Sequence, residues 1–202
     1  MIMLINRATQ KVEETPLDNV YHFRTEDDVR RLVHFMFRGN ELSRKPFYTS
    51  GRGVLIQYGE EYIFNSFMYV QFIYNKLSGL RVREQILMVT KDELDSRNFI
   101  NQIIALADRF SDYYFYQGFQ CIYSIFEQED RYSIVYAINS VSYQDGHKYS
   151  HNDHAIADRD QCATEAALME IKGENGEKEF DYCTLEYCPL YITPQGSYSI
   201  HQ

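Results

Sequence analysis

Two consecutive runs of alternating residues near the middle of the chain constrain its fold more than any other feature. The first run is GFQCIYSIFE (118–127), the second is RYSIVYAINSVSY (131–143), and a short acidic link separates them. In the second run large side chains alternate with mostly smaller ones, namely Tyr132, Ile134, Tyr136 and Ile138 against Ser133, Val135, Ala137 and Asn139. A period of two is typical of a β-strand, because successive side chains point to opposite faces of a sheet. The two runs therefore predict an antiparallel hairpin, and Asp145-Gly146 predicts a tight turn after it.

Two helices are predicted before the hairpin. Thr25 followed by Asp28 is typical of a capping box, and the helix that it begins carries apolar residues at helical spacing until Gly39. The stretch 60–79, EEYIFNSFMYVQFIYNKLSG, is apolar round much of its circumference, which predicts a buried helix that ends at Gly79.

Two further helices are predicted from the same kinds of pattern. Thr90 with Glu93 indicates a capping box for the first of them. Its apolar face is formed by Leu94, Ile100, Ile103, Ile104, Ala107 and Phe110. The second lies in the C-terminal part of the chain, over DQCATEAALMEIK (160–172).

Strands are predicted between these helices as well as in the hairpin. They lie at 1–5, 20–25, 53–58 and 80–89, and near the C-terminus at 180–187 and 190–193. Helices and strands interleave while the central strands form a hairpin, so we expect an α+β fold with a central, mainly antiparallel sheet and helices packed on it. Since no repeat or linker is visible, we expect one domain over 1–202, with a C-terminal helix and strands in 151–202.

The charge of the chain bears on the partners that it can bind. The formal net charge is −9, whereas a protein built to hold a phosphate backbone usually has a basic face. A local basic patch is one interpretation of Arg24, Arg30, Arg31, Arg38, Arg44, Lys45 and Arg52. The other interpretation is a solvated helix face.

The cysteines and the hydropathy pattern predict a cytoplasmic protein. The four cysteines, Cys121, Cys162, Cys183 and Cys188, form no CxxC pair, so we expect reduced thiols. The N-terminus has no long apolar signal region, and no stretch approaches the roughly 18 apolar residues of a membrane span.

Three stretches together resemble the relaxase/mobilisation nuclease family, whose members nick one DNA strand at a transfer origin during conjugation. They are DDVRRLVHFMFR (27–38), RVREQILMVTKDEL (81–94) and the long segment from Leu106 to Asn152 that contains the hairpin. The likeness covers about residues 20–150 and is most specific in the hairpin, at Asn139, Val141 and the DGHKY ending. The resemblance implies a relaxase-like fold of the HUH-endonuclease type.

The residues that would carry the nicking reaction are replaced. In the resembled family a tyrosine on the first helix attacks the scissile phosphate, and three histidines of the hairpin hold a divalent metal. The tyrosine position corresponds to Phe35, and the three histidine positions correspond to Phe126, Ser133 and Val135. A further histidine position, in the preceding strand, corresponds to Glu84. We therefore expect no catalytic residue, no metal and no cofactor at this site.

Relocated sites are the alternatives. His147, His151 and His154, with Asp153 and Asp158 beside them, are candidate zinc ligands if they share a helical face, but the segment has the composition of an exposed loop. Candidate replacement nucleophiles are Tyr21, Tyr48, Tyr58 and Tyr62, and candidate magnesium ligands are Glu84, Glu127, Glu129 and Asp130. The competing interpretations are packed or hydrogen-bonded tyrosines and an acidic turn that favours solubility.

The sequence thus predicts a catalytically inactive relaxase-like protein of a conjugative or mobilisable element, such as a plasmid, in a binding or accessory role. The expected partner is single-stranded DNA, another relaxase or mobilisation protein, or a second copy of the chain, and not a membrane. The alternative is a metal-dependent nuclease with a relocated site that uses His151 and His154 or carboxylates.

Overall fold

A computed structural model describes residues 3–6, 23–39, 45–91, 99–149, 191–192 and 198–199. Five strands form one antiparallel sheet in the order β1-β3-β5-β4-β2. Their bounds are β1 Met3–Asn6, β2 Tyr48–Arg52, β3 Val82–Thr90, β4 Cys121–Glu127 and β5 Arg131–Asn139. A separate antiparallel pair consists of β6 Tyr191–Ile192 and β7 Tyr198–Ser199. The predicted hairpin is confirmed as β4 and β5, and the α+β class is confirmed with it.

Three helices accompany the sheet: α1 Glu26–Arg38, α2 Gly59–Ile73 and α3 Phe99–Tyr116. The capping box of α1 is confirmed, because the Asp28 amide donates to Thr25 Oγ1 at 3.1 Å and the Thr25 amide donates to Asp28 Oδ2 at 2.9 Å. The helix ends at Gly39, whose amide donates to the Phe35 carbonyl at 2.8 Å.

The alternation in β5 separates two buried clusters on opposite faces of the sheet. On the first face, Tyr132, Ile134, Tyr136 and Ile138 pack with Ile103, Leu106 and Phe110 of α3. On the second, Val135 and Ala137 pack with Val29, Val33 and Met36 of α1 and with Ile63 and Phe67 of α2. These are called the α3 face and the α1–α2 face below.

The strand predicted at 53–58 is wrong. Residues 53–58 contain a 3-10 turn at Ile56–Tyr58, and the strand lies earlier, at Tyr48–Arg52. Gly53 has φ +71°, which ends the extended backbone, while Gly51 lets β4 approach closely: a Cβ there would lie 2.7 Å from the Cys121 carbonyl oxygen. Residues 23–25, the described part of the strand predicted at 20–25, do not form a strand: Thr25 has an extended backbone, with φ −107° and ψ 163°, but it is the N-cap of α1. Residues 20–22 lie outside the described residues.

The prediction for α2 is right about its type and wrong about its end and its burial. The helix ends at Ile73 and not at Gly79, and Asn75 follows it with φ 52°. Only one side of it is buried, by Ile63, Phe64, Phe67, Val70 and Gln71. The apolar residues on its other side are exposed.

Several predictions concern α3 and the C-terminal part. Ile103, Ala107 and Phe110 are buried as expected and Ile104 is partly buried, but Ile100 is exposed. Glu93, Leu94, the helix at 160–172 and the strand at 180–187 lie outside the described residues. The strand predicted at 190–193 is confirmed in β6.

A single domain over 1–202 stays a prediction. In the part of the chain that is described, no helix has the length and apolarity needed to cross a bilayer.

Candidate functional site

The last turns of α1 lie over the hairpin on the α1–α2 face. There the ring of Phe35 stacks on that of Phe126, with 5.0 Å between the centroids and 19° between the planes. Phe126 is buried in β4, and Phe35 is partly buried against the same cluster. The structure therefore brings together Phe35 and Phe126, the two positions to which the sequence resemblance assigns a nucleophile and a first metal ligand.

The two remaining hairpin positions lie beside this ring pair. Ser133 is the cross-strand partner of Phe126, and Val135, the next residue on the same face of β5, is the partner of Ser124. Ser133 and Val135 are both buried. Cβ atoms of directly opposed residues in an antiparallel pair are about 4.5–5.5 Å apart, so the side chains at 126, 133 and 135 form one compact group.

Hydroxyl groups fix α1 above this group. Ser124 Oγ donates to the Met36 carbonyl at 2.5 Å, and Thr49 Oγ1 donates to the same carbonyl at 3.2 Å. The two hydroxyl oxygens are 3.0 Å apart. Since the carbonyls of the last helical turn have no partner within the helix, these bonds stabilise the C-terminal end of α1 on β2 and β4.

Glu84 is not part of the compact group. It is buried on the α1–α2 face of β3, where its cross-strand partner is Ala137. Ala137 is four residues from Ser133 along β5, a distance of about 13 Å at the rise of a β-strand. The structure thus separates Glu84 from the positions of Phe35, Phe126 and Ser133.

The chemistry of the compact group follows from its composition. Phenyl and isopropyl groups offer neither a nucleophile nor a metal ligand, and a lone serine hydroxyl is a poor ligand. Phe126 and Val135 are each 4% exposed. Phe35, Phe126 and Val135 therefore form an apolar contact that fixes α1 to the sheet.

The relocated metal sites do not form among the residues that are described. His147 is exposed in the turn after β5, where its backbone amide donates to Asp145 Oδ1 at 2.9 Å. His151 and His154 lie outside the described residues, as do Asp153 and Asp158. Across 23–39, 45–91 and 99–149, no three His, Cys, Asp or Glu side chains are grouped as metal ligands would be.

The candidate carboxylates of the hairpin link are instead spread over its surface. Glu127 Oε1 accepts from Lys91 Nζ at 2.8 Å, and Asp130 Oδ1 accepts from Arg131 Nε at 3.0 Å. Glu129 is exposed between them. The acidic link is thus a solvated turn with surface ion pairs.

The candidate tyrosines lie away from the stacked phenylalanines. Tyr48 packs on the α3 face, with its ring 6.1 Å from that of Tyr123. Tyr58 and Tyr62 are exposed and form a ring pair with 5.2 Å between centroids. Tyr21 lies outside the described residues.

Four arginines of the predicted basic patch are neutralised in pairs. Arg30 pairs with Glu61, Arg31 with Asp28, Arg38 with Glu60 at 2.7 Å, and Arg52 with Asp108 at 2.9 Å and with Asp112. Burial opposes the charge of Glu60, but hydrogen bonds from Arg38 and His34 outweigh it and hold the pKa of this carboxyl below its usual value. Arg44 lies outside the described residues. The surface of α1 and α2 is consequently not a strongly basic one.

A second ion-pair group lies on the α3 face, and no sequence motif indicated it. Asp108 and Asp112, one turn apart on α3, both accept from Arg52 of β2. Asp108 also accepts from the Tyr123 hydroxyl at 2.7 Å, and burial together with this bond raises the pKa of Tyr123 far above its usual value. These contacts fix α3 to the edge strand.

A buried amide network joins α2 to the ends of the central strands. Gln71 Nε2 donates to Asn139 Oδ1 at 2.9 Å, and Asn139 Nδ2 donates to Gln120 Oε1 at 2.9 Å and to the Phe67 carbonyl at 3.2 Å. Arg81 donates to Gln71 Oε1 at 3.1 Å. Asn139 is thus the centre of a structural network.

The most exposed apolar surface of the described residues lies on the outer side of α2. Tyr69, Phe72 and Ile73 are 65%, 69% and 54% exposed. Beside them is a groove of about 290 Å³, lined by Glu26, Asn65, Met68, Tyr69, Phe72 and Leu77. An apolar patch of this kind is typical of a binding surface. Its signal in the sequence is the low amphipathicity of 60–79, a pattern that also predicts a helix buried on all sides.

The comparisons with known proteins give no match. This holds for protein-family models, for curated proteins and for solved structures. The fold and the packing at Phe35 and Phe126 define an α+β protein with an apolar contact at the candidate site.

Proposed function

We propose that the chain is a catalytically inactive relaxase-like protein of a conjugative or mobilisable element that acts in the cytoplasm by binding another protein. The observation that carries this proposal is the stacking of Phe35 on Phe126. Two positions that are far apart in sequence, and that the resemblance assigns to a nucleophile and a metal ligand, are in direct contact. This proximity supports the correspondence, and the two phenyl groups account for the loss of the reaction.

A protein partner is favoured over single-stranded DNA by the distribution of charge. Binding to a phosphate backbone gains most of its affinity from unpaired Lys and Arg side chains that displace counterions. Arg30, Arg31, Arg38 and Arg52 are instead paired with carboxylates, and the net charge is −9. The exposed aromatic side chains of α2 suit an apolar protein surface.

A cleavage assay tests the inactivity. The purified chain and a Phe35→Tyr variant are incubated with single-stranded DNA and Mg²⁺, Mn²⁺ or Zn²⁺, and covalent protein–DNA adducts are sought on denaturing gels. We expect none from either protein, because the restored hydroxyl of the variant still lacks metal ligands at 126, 133 and 135. An adduct formed by the natural chain would disprove the proposed inactivity.

A salt titration tests the choice of partner. Fluorescence anisotropy of a labelled single-stranded oligonucleotide is measured while the salt concentration rises from low to physiological values. We expect no binding even at low salt, where electrostatic affinity is greatest. Saturable binding with a steep salt dependence would indicate that the partner is nucleic acid and not a protein.

A further inference from the structure

The turn that follows β5 is fixed against the C-terminal end of α2. The ring of Tyr74 lies directly over Gly146, where it leaves no room for a Cβ. The Tyr74 hydroxyl donates to the Tyr143 carbonyl at 3.1 Å. Lys148 Nζ donates to the carbonyl of Ser78, in the loop after the helix. These contacts hold the Lys148 ammonium group at one place beside that loop.

Two further cations lie close to this ammonium group. A Cβ at Gly79 would lie 3.6 Å from Lys148 Nζ, and Arg81 is two residues beyond this glycine. Gln71 of α2 contacts both other residues, because its Oε1 accepts from Arg81 Nη1 at 3.1 Å and its carbonyl accepts from the Lys76 amide at 2.8 Å. Burial lowers the pKa of Lys148, and the positive charges of Arg81 and Lys76 lower it further. Lys76, Arg81 and Lys148 are called the cation cluster below.

The cation cluster has no carboxylate partner in the part of the chain that the structure describes. The arginines of α1 and β2 are paired with glutamate or aspartate, and Lys91 is paired with Glu127. None of the ion pairs among the described residues includes Lys76, Arg81 or Lys148. Three positive charges therefore gather at one place in a chain whose net charge is −9.

Arg81 is the member of the cluster that most lacks compensation, because its side chain is only 7% exposed. Its Nη1 donates to the Gln71 side chain, but its Nε is buried and has no acceptor among the described residues. Buried donors and buried charges are nearly always paired, because an unpaired one loses its hydration without replacement. The C-terminal end of the α2 dipole supplies only about half a negative charge. Most of the positive charge of the cluster is therefore left for an anion from outside the chain.

We propose that the cation cluster binds a phosphate monoester, a dianion with three terminal oxygens. Such a group can accept from both ammonium groups and from the guanidinium at the same time, and charge-assisted hydrogen bonds are roughly twice as strong as neutral ones. A carboxylate or a phosphodiester carries a single negative charge and leaves more of the cluster uncompensated. The inference goes beyond the proposed function and does not rest on it.

Titration with methyl phosphate, the simplest monoester, tests the site directly. Backbone amide shifts of the isotope-labelled full chain are followed by NMR at constant ionic strength, slightly above neutral pH, where the monoester is mainly a dianion. We expect saturable shifts confined to 76–81 and 146–149, with a Kd of about 1 mM or below. Dimethyl phosphate, the corresponding diester, should bind at least about tenfold more weakly, because it has one negative charge fewer. Equal affinity for the two compounds, or shifts that do not saturate, would overturn the inference.

Substitution of one lysine tests the assignment of residues. Lys148→Gln removes the charge and should weaken the binding of methyl phosphate by at least about tenfold. The matched control is Lys91→Gln, which makes the same change of charge just beyond the other end of β3, about 30 Å away. It should change the affinity by less than about twofold, because charges separated by more than a Debye length are screened. Equal loss of affinity in both variants would mean a general effect of net charge, and unchanged affinity in Lys148→Gln would equally contradict the site.

Chemical labelling examines the same site without a substitution. Reductive methylation of the lysines in the natural chain is followed by mass spectrometry with and without saturating methyl phosphate. A bound dianion covers Lys148 and favours its unreactive ammonium form, so methylation there should slow by at least about threefold. Methylation of Lys91 should not change. An unaltered rate at Lys148, or equal slowing at both lysines, would refute the proposed site whether or not the variants fold.

Discussion

At the scale of single residues, the start of α1 depends on one carboxylate. Burial opposes the charge of Asp28, but bonds from the hydroxyl and amide of Thr25, from Arg31 and from the Arg24 amide outweigh it and hold the pKa of Asp28 below its usual value. A carboxyl whose pKa is lowered by folding stabilises the folded state above its unfolded pKa. That stabilisation is lost as the pH falls through the folded pKa.

We therefore predict that Asp28→Ala lowers the free energy of unfolding by about 1–2 kcal/mol near neutral pH, the usual effect of losing a cap. The difference from the natural chain should shrink as the pH is lowered below about 4, because the Asp28 carboxyl of the natural chain then becomes protonated and loses the interactions of its charge. Urea unfolding at several pH values measures both effects.

Asp27→Ala is the matched control, since Asp27 is exposed in the same helical turn. It removes only an interaction with the helix dipole, of about 0.3–1 kcal/mol. A difference between Asp28→Ala and the natural chain that stayed constant down to low pH would contradict the role given to the ionised carboxylate.

Asn139 is the second residue whose single side chain connects several elements. Its amide bonds to Gln71 of α2, to Gln120 before β4 and to the Phe67 carbonyl. We predict that Asn139→Ala lowers the free energy of unfolding by about 3 kcal/mol, because several buried polar groups lose a partner and each costs about 1–3 kcal/mol. Chemical denaturation measures this loss.

Gln144→Ala is the control, because Gln144 is exposed in the following turn, and it should change the free energy of unfolding by less than about 0.5 kcal/mol. A similarly small effect of Asn139→Ala would count against the network.

At the scale of elements, the hairpin geometry makes a prediction about metal binding. Phe126, Ser133 and Val135 lie on one face of two paired strands, as three ligands of one ion must. We predict that a variant with histidine at these three positions and Phe35→Ala, which uncovers them, binds Co²⁺ or Zn²⁺, because three imidazoles can then reach one ion. The absorption of tetrahedral Co²⁺ measures binding, and circular dichroism checks the fold.

The control moves one of the three histidines to the other face of β4. Glu127→His replaces Phe126→His, and the remaining substitutions are kept. Since Glu127 is the neighbour of Phe126 on the strand, its side chain points away from Ser133 and Val135. We expect the affinity for Co²⁺ to fall by roughly tenfold or more. Equal affinity in two folded variants would show that the three positions do not form one site.

The elements that the sequence predicted correctly are those whose signals are local. The hairpin follows from the alternation in β5, and α1 follows from Thr25, Asp28 and Gly39. The position of β2 does not follow from such a signal, because Tyr48–Arg52 is a polar, glycine-containing stretch that becomes a strand by pairing with β4. Long-range pairing of this kind leaves no periodic pattern in the strand itself.

The candidate site, too, could be predicted only in part, because one part of it follows from a local pattern and the other depends on contacts between distant elements. The alternation of β5 is sufficient to place Ser133 and Val135 on one face, and the resemblance supplied Phe35 and Phe126. The contact between α1 and the hairpin depends on how the helix crosses the sheet, which bonds such as Ser124 to the Met36 carbonyl determine. The exposed side of α2 was missed because an apolar helix gives the same pattern whether the fold or a partner buries it.

At the scale of the whole molecule, the sheet is covered on both faces by helices. Residues of β3, β4 and β5 contribute to both the α3 face and the α1–α2 face. These three strands are also paired on both sides, whereas β2 is an edge strand that pairs with β4 alone. The other edge strand is β1, which pairs with β3 alone, and the free energy of opening should be lower at both edges than in the three central strands.

We predict that amides of Ile134–Ile138 in β5 exchange with solvent only through global unfolding, at a free energy on the order of 5–15 kcal/mol. The hydrogen-bonded amides of β2 should exchange at least about tenfold faster, since they open when a single edge is released. Native-state hydrogen exchange measured by NMR with small additions of denaturant tests this. Exchange from β5 should then accelerate with the full denaturant dependence of global unfolding, while exchange from β2 should respond weakly. Equal exchange rates and equal denaturant dependence in β2 and β5 would mean that the two strands open together in one unit. The edge strand β2 would then have no separate local stability.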